Sequence, residues 1–120
     1  MADAPDAPQL PARCEPCEGG IPPLSREQAE AHLAGLHGWE LSGWDTSSPR
    51  LCRRFEHRDF RAALAWVNRV GELAEEQGHH PDLHITRWNH VEIVLWTHAV
   101  GGLSLNDFVL AREIDALEPA

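Results

Sequence analysis

"DFRAALAWVNRVGELAEEQGHHPDLHITRWNHVEIVLWTHAVGG", residues 59–102, decides how this chain folds, because its hydrophobic period changes partway along. In the first half, Phe60, Leu64, Val67, Gly71 and Ala74 recur every three or four residues, which predicts a helix over 59–78 with that stripe buried. Asp59 is a natural N-cap for it. Gly78 stands where a helix takes a left-handed stop, and Pro81 prevents continuation. Beyond it, "DLHITR" (82–87) and "HVEIVLWTH" (90–98) read as two strands of a hairpin around "WN". Val91, Ile93, Leu95 and Thr97 fall on one face of the second strand, and Glu92, Val94, Trp96 and His98 on the other. Between helix and hairpin stand two adjacent histidines, His79 and His80.

Working outward, Ser25 can cap an earlier helix, with Gln28 as the return partner of a capping box, Leu33 and Leu36 on its apolar face and Gly38 at its end. "GWELS" (38–42) and "RLCRRFEH" (50–57) read as strands, and in the second Leu51, Arg53 and Phe55 share a face. "SLNDFVLAREIDAL" (104–117) is a last helix opened by Ser104. The order α-β-β-α-β-β-α, with short hairpins, predicts an α+β two-layer domain: a four-stranded antiparallel sheet with helices packed on one face. Six of the nine prolines fall in residues 1–23, which reads as a flexible Pro-rich N-terminal leader to a single domain over 24–120.

Composition narrows the function. The chain has 120 residues, the size of one domain, and 42% are hydrophobic. A net charge of −9 opposes nucleic-acid binding, which draws on positive charge to displace counterions. No apolar run approaches the roughly 18–20 residues of a membrane helix. The N-terminus has neither the basic start nor the apolar middle of a secretory signal, so a cytoplasmic protein is expected. All ten basic residues are arginine, which removes Schiff-base chemistry and the phosphate-loop lysine. No tyrosine and no G-x-S-x-G elbow is present. Histidine and carboxylate remain as the acid–base equipment. Cys14, Cys17 and Cys52 are an odd number, against a disulfide scaffold, and a lone C-x-x-C is a weak zinc or redox signal.

The topology sets the helix exit beside the end of the hairpin's second strand, so His79 and His80 become neighbours of His98. Glu75 lies one helical turn before His79. Asp107, in the first turn of the last helix, can close the site across the glycine turn, or serve only as a capping-box carboxylate. Histidines titrating near neutral pH suit proton transfer, and several of them with a carboxylate could expel a poorly leaving hydroxyl as water. In isolation the pair His79–His80 reads first as a dipole-stabilised helix end and nothing more. His84 and His90 read as exposed strand residues, and Trp39 as a core residue or one able to stack on a flat ligand. Three histidines could bind zinc, but adjacent histidines point apart and no H-E-x-x-H supports it, so no metal is expected.

The spaced run Glu75, His79-His80-Pro81, Trp88, His98 and Asp107, with "FRAALAWVNRVGELAEEQGHHPD" and "THAVGGLSLND" around it, closely resembles the signature of the pterin-4a-carbinolamine dehydratases. The similarity covers roughly Ile21 to Leu117, and "CEPCEGGIPPLS" resembles the leader of bacterial members. Gly78 and Val100 depart from the animal pattern. The resemblance implies a lyase that dehydrates 4a-hydroxytetrahydropterin to quinonoid dihydropterin, recycling the pterin of aromatic amino acid hydroxylases, with neither metal nor bound cofactor. It implies His79, His80 and His98 as catalytic residues, Glu75, Pro81, Thr97 and Asp107 around the substrate, and a homodimer or homotetramer. The competing expectation is a non-catalytic protein-binding or assembly module on the same fold.

Overall fold

Asp59 begins the longest helix by accepting the Ala62 N–H on its side chain (2.8 Å), a cap that stabilises by about 1 kcal/mol. In the computed structural model, which describes residues 9–16 and 21–117, the elements run α1 (Arg26–Leu33), β1 (Glu40–Ser42), β2 (Arg50–Glu56), α2 (Phe60–Gln77), β3 (Asp82–Thr86), β4 (His90–Leu95) and α3 (Leu105–Leu117). This is the α-β-β-α-β-β-α order expected. Short 3₁₀ turns occupy Trp44–Thr46 and His98–Val100. The capping box of α1 is complete, with Ser25 accepting from Gln28 N–H and the Gln28 side chain accepting from Ser25 N–H.

The sheet is antiparallel in the order β1-β2-β4-β3, so β1 and β3 are its edges. The hairpin between β3 and β4 turns through Arg87 and Trp88, both left-handed (φ 50 and 55), the geometry that matches the twist of paired strands. Its tip carries Trp88, 64% exposed, at the opposite end of the sheet from His79 and His80. Leu51, Val91, Ile93 and Leu95 point from the sheet into the core, where they meet Ala63, Trp66 and Val70 of α2 and Phe108, Leu110 and Ile114 of α3. The helices cover that face only; the outward residues Arg54, His84 and Thr86 are exposed.

The buried face of α2 is not the stripe its spacing suggested. Ala63, Trp66, Val70 and Ala74 are buried, whereas Phe60 (49%) and Leu64 (42%) face solvent. The helix carries two apolar stripes, and the sheet takes the one with Trp66, whose ring packs on Phe55 (5.0 Å). Burying that larger ring removes more apolar surface from water. Trp39 is likewise core rather than site: it is 5% exposed, and its indole N–H donates to Asp115 Oδ1 (2.8 Å). Arg53 reaches the same oxygen (2.5 Å), tying β2 to α3.

Residues 9–16 lie against α2 and α3 rather than apart from them. Leu10 and Cys14 pack on the core cluster. The Arg112 guanidinium donates to Ala12 C=O (3.0 Å), and Arg13 donates to Glu76 C=O (3.1 Å). Cys17 falls outside the described residues.

Candidate active site

The end of α2 fixes His79 before any side chain is considered. Gly78 is left-handed (φ 68, ψ 24) and its N–H bonds Glu75 C=O, while His79 N–H bonds Ala74 C=O (both 3.3 Å). These are the two bonds of a Schellman stop, so His79 is placed by the helix terminus itself. Pro81 then forces extended backbone, and β3 starts at Asp82. Asp82 pairs with Val94, and continuing that register two and three residues outward sets His80 abreast of Trp96 and His79 abreast of Thr97.

Asp107 completes the junction. It is fully buried, and each of its oxygens has a distinct task. Oδ1 meets His79 Nε2 at 2.6 Å. Oδ2 accepts from Ser104 N–H (2.9 Å) and from the Thr97 hydroxyl (2.8 Å). The first contact of Oδ2 is the carboxylate half of a capping box at the start of α3. Asp107 is therefore both the helix cap and the partner of His79. Thr97 has one hydroxyl proton and spends it on Asp107, so in its 2.7 Å contact with Ser104 Oγ it accepts. The resulting chain runs Ser104 O–H to Thr97 O–H to Asp107 to His79. A carboxylate accepts only, so His79 donates from Nε2 in this contact. The His79 side chain is 10% exposed, Thr97 3% and Asp107 fully buried, so the hydrogen-bonded group is largely shielded from water.

His98 opens the 3₁₀ turn just past β4, which stops at Leu95, three residues short of the strand the alternation suggested. The turn is closed by a Thr97–Gly102 bridge (Thr97 N–H to Gly102 C=O, 2.7 Å) and by Gly101 at φ 71. His98 is exposed and its ring meets the edge of Trp96 at 5.4 Å. Trp96 is held in turn by Asp82, which accepts its indole N–H (3.0 Å), and by Arg50 stacked 4.0 Å from its ring centroid. Trp96 was not singled out in the sequence, although the alternation had put it on the face of His98. His80 is separate: it pairs with Glu75 (2.5 Å), and both side chains are well exposed. Pro81 is half-buried at the start of β3.

The structure thus joins His79, Thr97 and Asp107 by hydrogen bonds and brings His98 next to them through the Thr97 backbone. Glu75 and His80 form a second, exposed pair one residue away. Among the described residues no hydrogen bond or ring contact links any two of the three histidines, and no group of three His, Cys, Asp or Glu side chains is placed to hold a metal ion. His84 is exposed and His90 half-buried, both on the outward face. A cavity of about 150 Å³ borders the junction, walled by Glu15, Pro16 and Ile21 on one side and Val100, Ser104 and Leu105 on the other. A cavity of about 350 Å³ on the open sheet face, between Glu40, Arg54 and Glu92, includes none of the histidines. Among the described residues no helix is long and apolar enough to cross a membrane.

A histidine held on a buried carboxylate, at the seam of a two-layer α+β fold, is an arrangement suited to acid–base chemistry. The family model described as "Pterin 4 alpha carbinolamine dehydratase" matches residues 22–117. A relative from Rubrobacter xylanophilus, named for the same dehydratase, is 48% identical over 104 residues, which span 87% of this chain and 92% of the relative. Another from Arabidopsis thaliana, named pterin-4-alpha-carbinolamine dehydratase 2, mitochondrial, is 39% identical over 88% of this chain and 57% of its own length. A crystal structure of a transcriptional coactivator/pterin dehydratase from Brucella melitensis superposes with a TM-score of 0.69 at 26% identity, over 78% of this chain and 96% of that one. The chain belongs to the pterin-4a-carbinolamine dehydratase family, whose named members are lyases.

Proposed function

We propose that this chain eliminates water from 4a-hydroxytetrahydropterin to give quinonoid dihydropterin. The observation that carries the proposal is His79 held on the buried Asp107, which is itself fixed by Thr97 and Ser104 N–H. In the elimination the C4a–O bond breaks, the oxygen takes a proton and leaves as water, the N5 lone pair forms the C4a=N5 bond, and the N5 proton goes to a base. His79 Nδ1 suits the base, because the imidazolium it becomes is stabilised by Asp107. His98, in its protonated form, suits the acid to the leaving hydroxyl, with Trp96 holding its ring. His80, paired with Glu75, suits binding and orientation of the pterin. Asp107 and Thr97 act through His79, and Pro81 sets the backbone that carries the histidine pair.

The reaction consumes no external reductant and draws on histidine and carboxylate alone, which agrees with a chain lacking lysine and tyrosine. The exposed Phe60–Leu64 stripe of α2 and the edge strand β3 are the surfaces for a homodimer or homotetramer. The same reading sets the enzyme in the cytoplasm beside an aromatic amino acid hydroxylase that generates the substrate. Stopped-flow mixing of freshly generated 4a-hydroxytetrahydropterin with the protein tests the activity. Acceleration well above buffer is expected, and a rate equal to buffer would favour a non-catalytic assembly module.

A further inference from the structure

Residues 9–16 of the leader lie outside the matched span 22–117, yet they are fastened to both elements that make the His79–Asp107 couple. Cys14 N–H donates to Gln77 Oε1 (2.8 Å), and Gln77 is the last residue of α2, two before His79. Glu15 N–H donates to Asn106 Oδ1 (2.8 Å), and Asn106 Nδ2 donates back to Glu15 C=O (2.6 Å). Asn106 is 7% exposed and immediately precedes Asp107. Both ends of a buried amide thus bond the backbone of one leader residue, as a neighbouring strand would. The Cys14 thiol donates to Asn106 C=O (3.5 Å), a third tie at the same place.

We infer that residues 14–15 of the leader are a clamp between the end of α2 and the start of α3, and that Gln77 and Asn106 are positioning residues that hold His79 against Asp107. The physical basis is leverage: His79 hangs from the α2 terminus and Asp107 from the first turn of α3. Their 2.6 Å contact persists only while those two backbone segments keep their spacing. The backbone N–H groups of Cys14 and Glu15 are both committed to side chains of the domain. Backbone recognition of this kind tolerates changes of leader side chain but not loss of a leader N–H. The inference takes His79 as the base proposed above, and its test does not depend on that role.

Three full-length variants labelled with ¹⁵N-histidine carry the test: Gln77→Met, which keeps the volume and removes the acceptor; Gln77→Glu, which keeps an acceptor; and Glu15→Pro, which removes one leader N–H and leaves the domain untouched. The His79 ring signals, assigned by their loss in His79→Gln, should show the Nε2–H tautomer in the unmodified chain. In Gln77→Met and Glu15→Pro they should move toward a mixture of tautomers, and kcat should fall roughly tenfold with KM little changed, since small misplacement of a catalytic group is costly. Gln77→Glu should restore both. Should Gln77→Met fail to fold, Glu15→Pro decides alone. Ring signals in Glu15→Pro identical to those of the unmodified chain overturn the clamp. Absence of dehydration by the unmodified chain defeats the proposed function and leaves the ring-signal comparison standing.

Discussion

Replacing Asp107 by asparagine isolates what the buried carboxylate does for His79. Asp107→Asn keeps the size and one acceptor oxygen but substitutes an N–H₂ for the other. Ser104 N–H and the Thr97 hydroxyl both donate to Oδ2, so the surviving oxygen stays with them and the N–H₂ turns toward His79. Facing a donor at 2.6 Å, His79 Nε2 must become an acceptor, and its proton moves to Nδ1. Nδ1 then no longer offers a lone pair, and the imidazolium loses its counter-charge. A positioned acid–base group is worth about 10²–10⁴-fold, so kcat/KM should fall by roughly that factor, or about 3–5 kcal/mol of transition-state stabilisation. Stability should change far less, because the cap bond to Ser104 N–H survives. The assay is stopped-flow dehydration beside thermal unfolding. Asp107→Asn should also add little to His79→Gln, since the two act as one unit. A folded Asp107→Asn protein that turns over within threefold of the unmodified chain would show that the carboxylate does not act through His79.

Three other perturbations test separate parts of the molecule. His98→Ala should slow turnover by about 10²–10⁴-fold; because His98 is exposed, Tm should stay within about 2 °C, and a rate within threefold of the unmodified chain would remove His98 from the mechanism. Asp115→Ala leaves the Trp39 indole N–H and the half-buried Arg53 without their shared acceptor, for about 1–3 kcal/mol and a Tm lower by roughly 5–15 °C by calorimetry, with kcat unchanged. His32 is 8% exposed with its ring on Phe108, and burial holds its imidazole below the ordinary 6.5. Between the folded and unfolded midpoints the unfolded chain binds more protons, so this contribution to stability is complete above about 6.5 and is lost as pH falls below it. His32→Phe should therefore lose less Tm between pH 7 and pH 5 than the unmodified chain, and parallel Tm profiles would contradict the assignment.

Local chemistry wrote most of the fold plainly. Asp59, Gly78 and Pro81 bracket α2 with a cap, a left-handed stop and a residue that cannot continue, and all three act within a few residues of themselves. The alternation in β4 is equally local: Val91, Ile93 and Leu95 are its buried face, and Thr97 is buried in the same alternation just past its end. The choice of face on α2 was not legible, because Phe60–Leu64 and Trp66–Val70 are both apolar stripes and only the docked sheet selects between them. The Asp107 contact was half visible: first-turn spacing gives the cap, whereas the reach to His79 needs the hairpin register. Gln77 and Asn106 left no signal at all. They bond backbone of a leader more than 60 residues away, and neither spacing nor hydrophobicity encodes a side-chain amide that meets a distant peptide group.

If the proposed dehydration is right, His79 and His98 address one bound pterin. Titrating ¹⁵N-histidine-labelled protein with a stable 7,8-dihydropterin tests it directly. The ring signals of His79 and His98 should shift together along a single binding curve, while those of His57 and His84, away from the junction, stay still. Saturable binding that moves neither His79 nor His98 would contradict it.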